Sequence, residues 1–143
     1  MPERTPMDLA LKSLSRQAYS RAKLATRLGR AGFEEPQIDE CLKRLENWGY
    51  LNDREYGIAR IATLQKRLKS RNYAAGDLEA QGLSPELIGQ LLAEFYPEEM
   101  EIEIARKLLK KKAGVAEKGL GLLARAGFSE NTIQHCFPDR YPT

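Results

Sequence analysis

The chemistry available to this chain is carried by basic side chains, and they come in clusters. From Leu9 to Phe33 there is no acidic residue, but Lys12, Arg16, Arg21, Lys23, Arg27 and Arg30 are all basic. From Tyr56 to Gly76 acids are again absent, with Arg60, Lys66, Arg67, Lys69 and Arg71 present. Arg106, Lys107, Lys110, Lys111 and Lys112 make a third cluster. The net charge is only +3, so acids balance these clusters elsewhere, mainly over 34–55 and 94–103. Segregation of this kind creates local fields that attract a polyanion even at small net charge. Tyr19 lies between Arg16 and Arg21, and Tyr73 follows Arg71. Aromatic and basic residues together can stack and neutralise a nucleic-acid strand. The plainer reading is that both tyrosines open helices and pack between them.

Other chemistry lacks its parts. His135 is the only histidine, so neither a catalytic triad nor a two-histidine metal site is available. Lys118-Gly-Leu-Gly121 looks faintly like a phosphate loop but follows no strand. No acid sits in an apolar run that would raise its pKa for acid–base work. Cys41 and Cys136 match no zinc spacing, and both read as small core residues. No catalytic residue, metal or cofactor is expected. No apolar run approaches the roughly 20 residues of a membrane span, and the first residues carry no apolar signal core. The expected location is cytoplasmic.

The elements that would position the clusters follow from a repeated frame. Leu28 to Leu42, Leu78 to Leu92 and Leu123 to Phe137 each read Leu, three residues, Gly, a large apolar residue, four residues, Ile, two residues, then two apolar residues. Repetition at this period marks one supersecondary unit stacked in tandem. Thr5-Pro6 and Ser20 can cap two helices, and Gly32 stops the second. Ile38, Cys41, Leu42, Leu45 and Trp48 give a third helix with helical spacing, ended by Gly49. Asn52 starts the next. Further helices are expected from about Tyr73 to Gln81, from Ser84-Pro85, after Pro97, and from Ser129 until Pro138 closes the last. Phe33, Leu83 and Phe128 should be buried at equivalent sites. Trp48, Tyr50 and Leu51 read as a staple between units. No segment alternates as a strand does. The expected fold is all-α: three three-helix repeats over 1–53, 54–96 and 97–143.

The residues then resemble the RecX family, regulators of the RecA recombinase. The resemblance runs from about Ala10 to Phe137. It is carried by Arg16, Tyr19, Ser20, Leu24, Leu28 and Gly32-Phe33, by Gly49-Tyr50-Leu51-Asn52-Asp53 with Tyr56 following, and by Gly127-Phe128 with Ile133. In the second unit, Arg71-Asn72-Tyr73 and Gln81-Gly82-Leu83 depart from the family pattern. The resemblance implies a curved, elongated array that binds along the RecA–DNA nucleoprotein filament. It implies contacts to recombinase subunits, with single- or double-stranded DNA as a further partner. It also implies inhibition of RecA's ATPase, strand exchange and coprotease functions. The missing catalytic parts separately point to a non-enzyme, and a monomer is expected. A helical module that binds nucleic acid directly, with no recombinase partner, is the alternative. On either reading the candidate contacts are Arg16, Tyr19, Arg21, Lys23, Arg27, Arg67, Lys69, Arg71, Lys110, Lys111 and Lys112. A curved array would align them along one side.

Overall fold

The computed structural model describes residues 4–112 and 116–140. Among these residues there are nine α-helices and no strand. They are α1 (Pro6–Arg16), α2 (Arg21–Arg30), α3 (Glu35–Asn47), α4 (Asp53–Lys66), α5 (Arg71–Ala80), α6 (Pro85–Phe95), α7 (Glu98–Lys112), α8 (Ala116–Arg125) and α9 (Glu130–Cys136). Helices pack in threes: α1 with α2 and α3, α4 with α5 and α6, and α7 with α8 and α9.

Local hydrogen bonds explain most helix ends. The side chains of Thr5, Ser20, Asn52, Ser70, Ser84 and Ser129 each accept a bond from the backbone N–H three residues on. Each cap satisfies a donor that the first turn would otherwise leave unpaired. The repeated frame is a helix stop. The N–H of Phe33 donates to the Leu28 carbonyl, that of Leu83 to Leu78, and that of Phe128 to Leu123, at 3.1–3.3 Å. The intervening glycines have φ of +96, +87 and +85°. This is the Schellman arrangement, in which the residue after the left-handed glycine also packs back on the helix.

Several expectations need correction. α5 starts at Arg71, two residues earlier than the apolar pattern suggested, because Ser70 supplies its cap. The last α-helix does end before Pro138, as expected, but Pro138 also opens a 3-10 turn over Pro138–Arg140. Leu83 and Phe128 are 4% and 5% exposed, but Phe33 is only half-buried. Gly32 explains the difference, since a Cβ there would meet nothing within 4 Å, whereas Gly82 and Gly127 lie against the neighbouring unit. Trp48 and Tyr50 do not staple units together. They stand 50% and 63% exposed, and only Leu51 is buried.

The units join through their middle helices. Ser20 Oγ donates to the Gln81 carbonyl at 2.5 Å, and Ser70 Oγ donates to the Ala126 carbonyl at 3.0 Å. The N-terminus of α2 thus meets the C-terminus of α5, and the N-terminus of α5 meets the C-terminus of α8. The positive end of one helix dipole therefore meets the negative end of another at both joints. A carboxylate completes each joint. Asp53 accepts from the Arg21 N–H at 2.8 Å. Glu101, 2% exposed, accepts from the N–H groups of Arg71 at 3.2 Å and Ser129 at 2.9 Å. Gly82 is required at the first joint for two reasons. Its φ is in the left-handed region, and an added Cβ would run into Ala22.

The two joints differ in their apolar content. Leu24, Leu28, Ile38, Cys41, Leu42, Leu45 and Leu51 form a core confined to the first unit. A single second core runs through the other two units, with Leu78, Leu91, Tyr96, Ile104, Leu123 and Phe128 among its members. Each fully buried leucine contributes about 1.5–3 kcal/mol. The second joint therefore has a hydrophobic base that the first lacks.

Candidate polyanion-binding surface

Two grooves collect the candidate residues. The first lies on α1 and α2, encloses about 480 Å³, and is lined by Leu9, Tyr19, Lys23, Thr26, Arg27, Arg30 and Ala31. Leu24 and Leu28 are 0% exposed, so α2 turns its other face outward and presents Lys23 and Arg27 one turn apart. The Arg27 guanidinium is held by a bond from Nε to Ser13 Oγ at 2.7 Å, and Ser13 donates in turn to the Leu9 carbonyl. Tyr19 is half-buried and packs on the first unit's core, so its ring also serves the fold.

The second groove, again about 480 Å³, lies where the second and third units meet. Arg67, Leu68, Lys69 and Tyr73 line it from one unit, with Lys111, Lys112 and Arg125 from the other. Lys69 Nζ sits 4.7 Å from the centre of the Tyr73 ring, a cation–π contact. Tyr73 itself is 47% exposed. Leu68 takes φ +60°, rare for a bulky residue, at the turn between Arg67 and Lys69. Its N–H donates to the Gln65 carbonyl, and the Lys69 N–H to that of Leu64, so the turn is another Schellman stop.

Arg21 and Arg71 have other work. Arg21 bonds Glu46 at 2.9 Å and Asp39 at 3.0 Å, tying α2 to α3. Those bonds, Glu46 first, raise the Arg21 pKa above its ordinary value. Asp39 is held below the usual carboxylate range by Lys43 and then Arg21. Arg71 Nε donates to the Tyr96 carbonyl at 2.6 Å inside the second joint. Arg60 is consumed in a fork with Asp77, at 2.7 and 2.9 Å. Asp77 occupies the position that Arg27 holds in the first unit, so the middle of α5 is not basic. Arg16 lies exposed at the end of α1, and Lys110 is exposed on α7 without lining the groove.

Arg30 and Arg125 join the grooves although neither was a candidate. They share one position of the repeated frame, two residues after its first leucine. Superposing the copies would have found both. Elsewhere the chemistry stays sparse. His135 is exposed, with Nδ1 2.8 Å from the Asn131 carbonyl. Burial pushes the Cys41 and Cys136 thiols up, away from reactivity. Lys118 to Gly121 lies within α8, so it forms no phosphate loop. Among the described residues there is no metal-binding cluster, and no helix is long and apolar enough to cross a membrane.

Known proteins share this architecture. The crystal structure of RecX from Lactobacillus salivarius superposes with a TM-score of 0.84, covering 94% of this chain and 93% of that one at 20% identity. In sequence, regulatory protein RecX of Trichlorobacter lovleyi is 30% identical over 139 residues, 90% of each chain. That of Thermus thermophilus is 40% identical over 90 residues, 63% of this chain and 62% of the relative. The chain spans 52% of the length of the Caldanaerobacter subterraneus relative, at 31% identity. Residues 7–45 match the RecX first three-helix domain. With sequence likeness along nine-tenths of both chains and the same helical architecture beneath it, the chain belongs to the RecX family of regulatory proteins.

Proposed function

We propose that this chain binds the RecA–DNA nucleoprotein filament and restrains RecA's ATPase, strand exchange and coprotease functions. It acts as a monomer by occupying a surface and has no reaction of its own. The observation that carries the reading is the first groove. Lys23, Arg27 and Arg30 converge there beside Tyr19, with no acid in the lining, on a helix whose opposite face is core. Rim cations of this kind steer and orient a polyanionic partner more than they contribute raw affinity.

The test is RecA ATPase on single-stranded DNA with increasing amounts of the protein. The parent chain should inhibit. Lys23→Glu with Arg27→Glu should relieve inhibition by about tenfold in concentration, with an unchanged helical circular dichroism spectrum. Full inhibition by the folded double variant at the parent's concentration and moderate salt would remove this groove as the contact.

A further inference from the structure

The groove between the second and third units is built by both, and it carries a charge that its own helices do not explain. Arg67, Lys69 and Tyr73 enter it from the second unit, and Lys111, Lys112 and Arg125 from the third. Three helices, α4, α7 and α8, end there, and each C-terminus carries roughly −0.5 of a charge. Three ends supply roughly −1.5 against five positive side chains, so the surplus is roughly +3.5, and no acid lines the groove. None of the five makes an ion pair among the described residues. Two backbone features set the cations in place. The left-handed helix stops at Gly32, Gly49, Gly82 and Gly127 use glycine, but the one between Arg67 and Lys69 holds Leu68 at φ +60°. A bulky residue pays for that conformation, and such residues cluster at ligand clamps. Gly121 leaves room for the Arg125 guanidinium, whose Nη1 would lie 3.2 Å from a Cβ built there. The floor is apolar, with Leu108 and Leu122 among its residues. Tyr73 adds a half-exposed ring, with Lys69 held against it.

We infer that this groove binds one nucleoside triphosphate, with its phosphates between the cations of the two units and its base on Tyr73 and the apolar floor. Charge, density and size all match. A nucleoside triphosphate carries about four negative charges at neutral pH, two of them on the terminal phosphate, whose second pKa is about 6. Its phosphates are linked directly, so the charge is concentrated, as it is on five cations around one groove. The enclosed space, about 480 Å³, falls within the roughly 300–1,000 Å³ of small-molecule sites. The base accounts for the exposed ring and the apolar floor, which a bare anion would leave unused. Because the contacts come from two units, bound nucleotide ties them together and stabilises the folded chain by mass action. The inference goes beyond the proposed function: it uses a different groove, a small molecule and no recombinase.

The experiment is isothermal titration of the full chain with ATP, tripolyphosphate and adenosine, without RecA and at moderate salt. ATP should bind once per chain, about tenfold more tightly than tripolyphosphate, since stacking one base on an aromatic ring supplies about that much. Adenosine alone should give no measurable binding. Tyr73→Ala should bring ATP down to the tripolyphosphate level and leave tripolyphosphate unchanged, while Tyr73→Phe keeps both. Arg67→Gln in the second unit and Lys111→Gln in the third should each weaken ATP binding about fivefold or more. Lys43→Gln, remote from the groove, should change nothing. ATP should also raise the unfolding temperature of the parent, but not that of Arg67→Gln with Lys111→Gln. Equal ATP affinity in the parent and the groove variants would overturn the inference. So would equal affinity of the parent for ATP and tripolyphosphate, which would make the groove a charge sink that reads no base. Displacement of ATP by oligothymidylate at a lower phosphate concentration would overturn it too, by making the occupant a strand. If the chain inhibits RecA fully yet binds no nucleotide, this inference falls and the proposed function stands. If it binds the nucleotide but leaves RecA untouched, the reverse holds.

Discussion

Tyr96 shows how a single residue serves the joint beside the second groove. It is fully buried, and its hydroxyl donates to the Lys69 carbonyl at 2.6 Å. Burial, with Glu101 adding to it, pushes the phenol well above the ordinary tyrosine range. Above about pH 10 the unfolded chain releases this proton while the folded chain keeps it, so stability falls as pH rises. The loss approaches about 1.4 kcal/mol per pH unit from this residue. Tyr96→Phe should cost about 1 kcal/mol at pH 8 through the lost hydrogen bond, yet fall less steeply than the parent between pH 10 and 11. Urea midpoints at pH 8, 10 and 11 for both proteins give the comparison. At this scale the sequence was a partial guide. Lys23 and Arg27 were legible because α2 is amphipathic over its whole length. The engagement of Arg21 and Arg71 was not, because Asp39 and the Tyr96 carbonyl lie 18 and 25 positions away. Charge counting cannot tell a free cation from one with a distant partner.

At the scale of elements, the repeated frame is a helix-stopping device whose apolar residue has unequal surroundings in the three copies. Phe128→Ala should cost about 3–5 kcal/mol, the usual range for a buried phenylalanine, and Phe33→Ala clearly less because its ring is only partly buried. Equal losses in thermal unfolding would contradict the packing described. Gly82→Ala should destabilise by more than 1 kcal/mol, since the left-handed backbone and the contact with Ala22 penalise it together. Gly32→Ala, with open space around it, should suffer only the backbone penalty. The frame and most caps were readable because their hydrogen bonds span three to five residues. The start of α5 was not, because Tyr73 and Ala74 suggested an apolar face while Ser70 waited among basic residues. The exposure of Trp48 and Tyr50 was also hidden. Large aromatics suggest burial, but here Trp48 and Tyr50 pack on one another at 6.4 Å and Trp48 lies under Arg44 at 5.0 Å, on the outside.

The whole molecule is extended. Its accessible surface is 9267 Å², against roughly 7500 Å² for a compact chain of this mass. Small-angle scattering should give a radius of gyration above the roughly 14–15 Å of a globular chain of this length, and a value inside that range would contradict the tandem arrangement. Tandem order was legible from the spacing of the three frames. The way the units abut was not, because each joint includes a bond between a serine and a carbonyl about sixty residues apart. The inequality of those joints has a mechanical consequence. The seam between the second and third units is glued by a common core, while the seam after the first is almost entirely polar and pivots on Ser20, Asp53 and the bare backbone of Gly82. Parting the first seam uncovers little apolar surface, so opening it should cost less free energy than opening the second. Hydrogen exchange should therefore be faster at the Arg21 N–H, which spans the first seam, than at the Arg71 N–H, which spans the second.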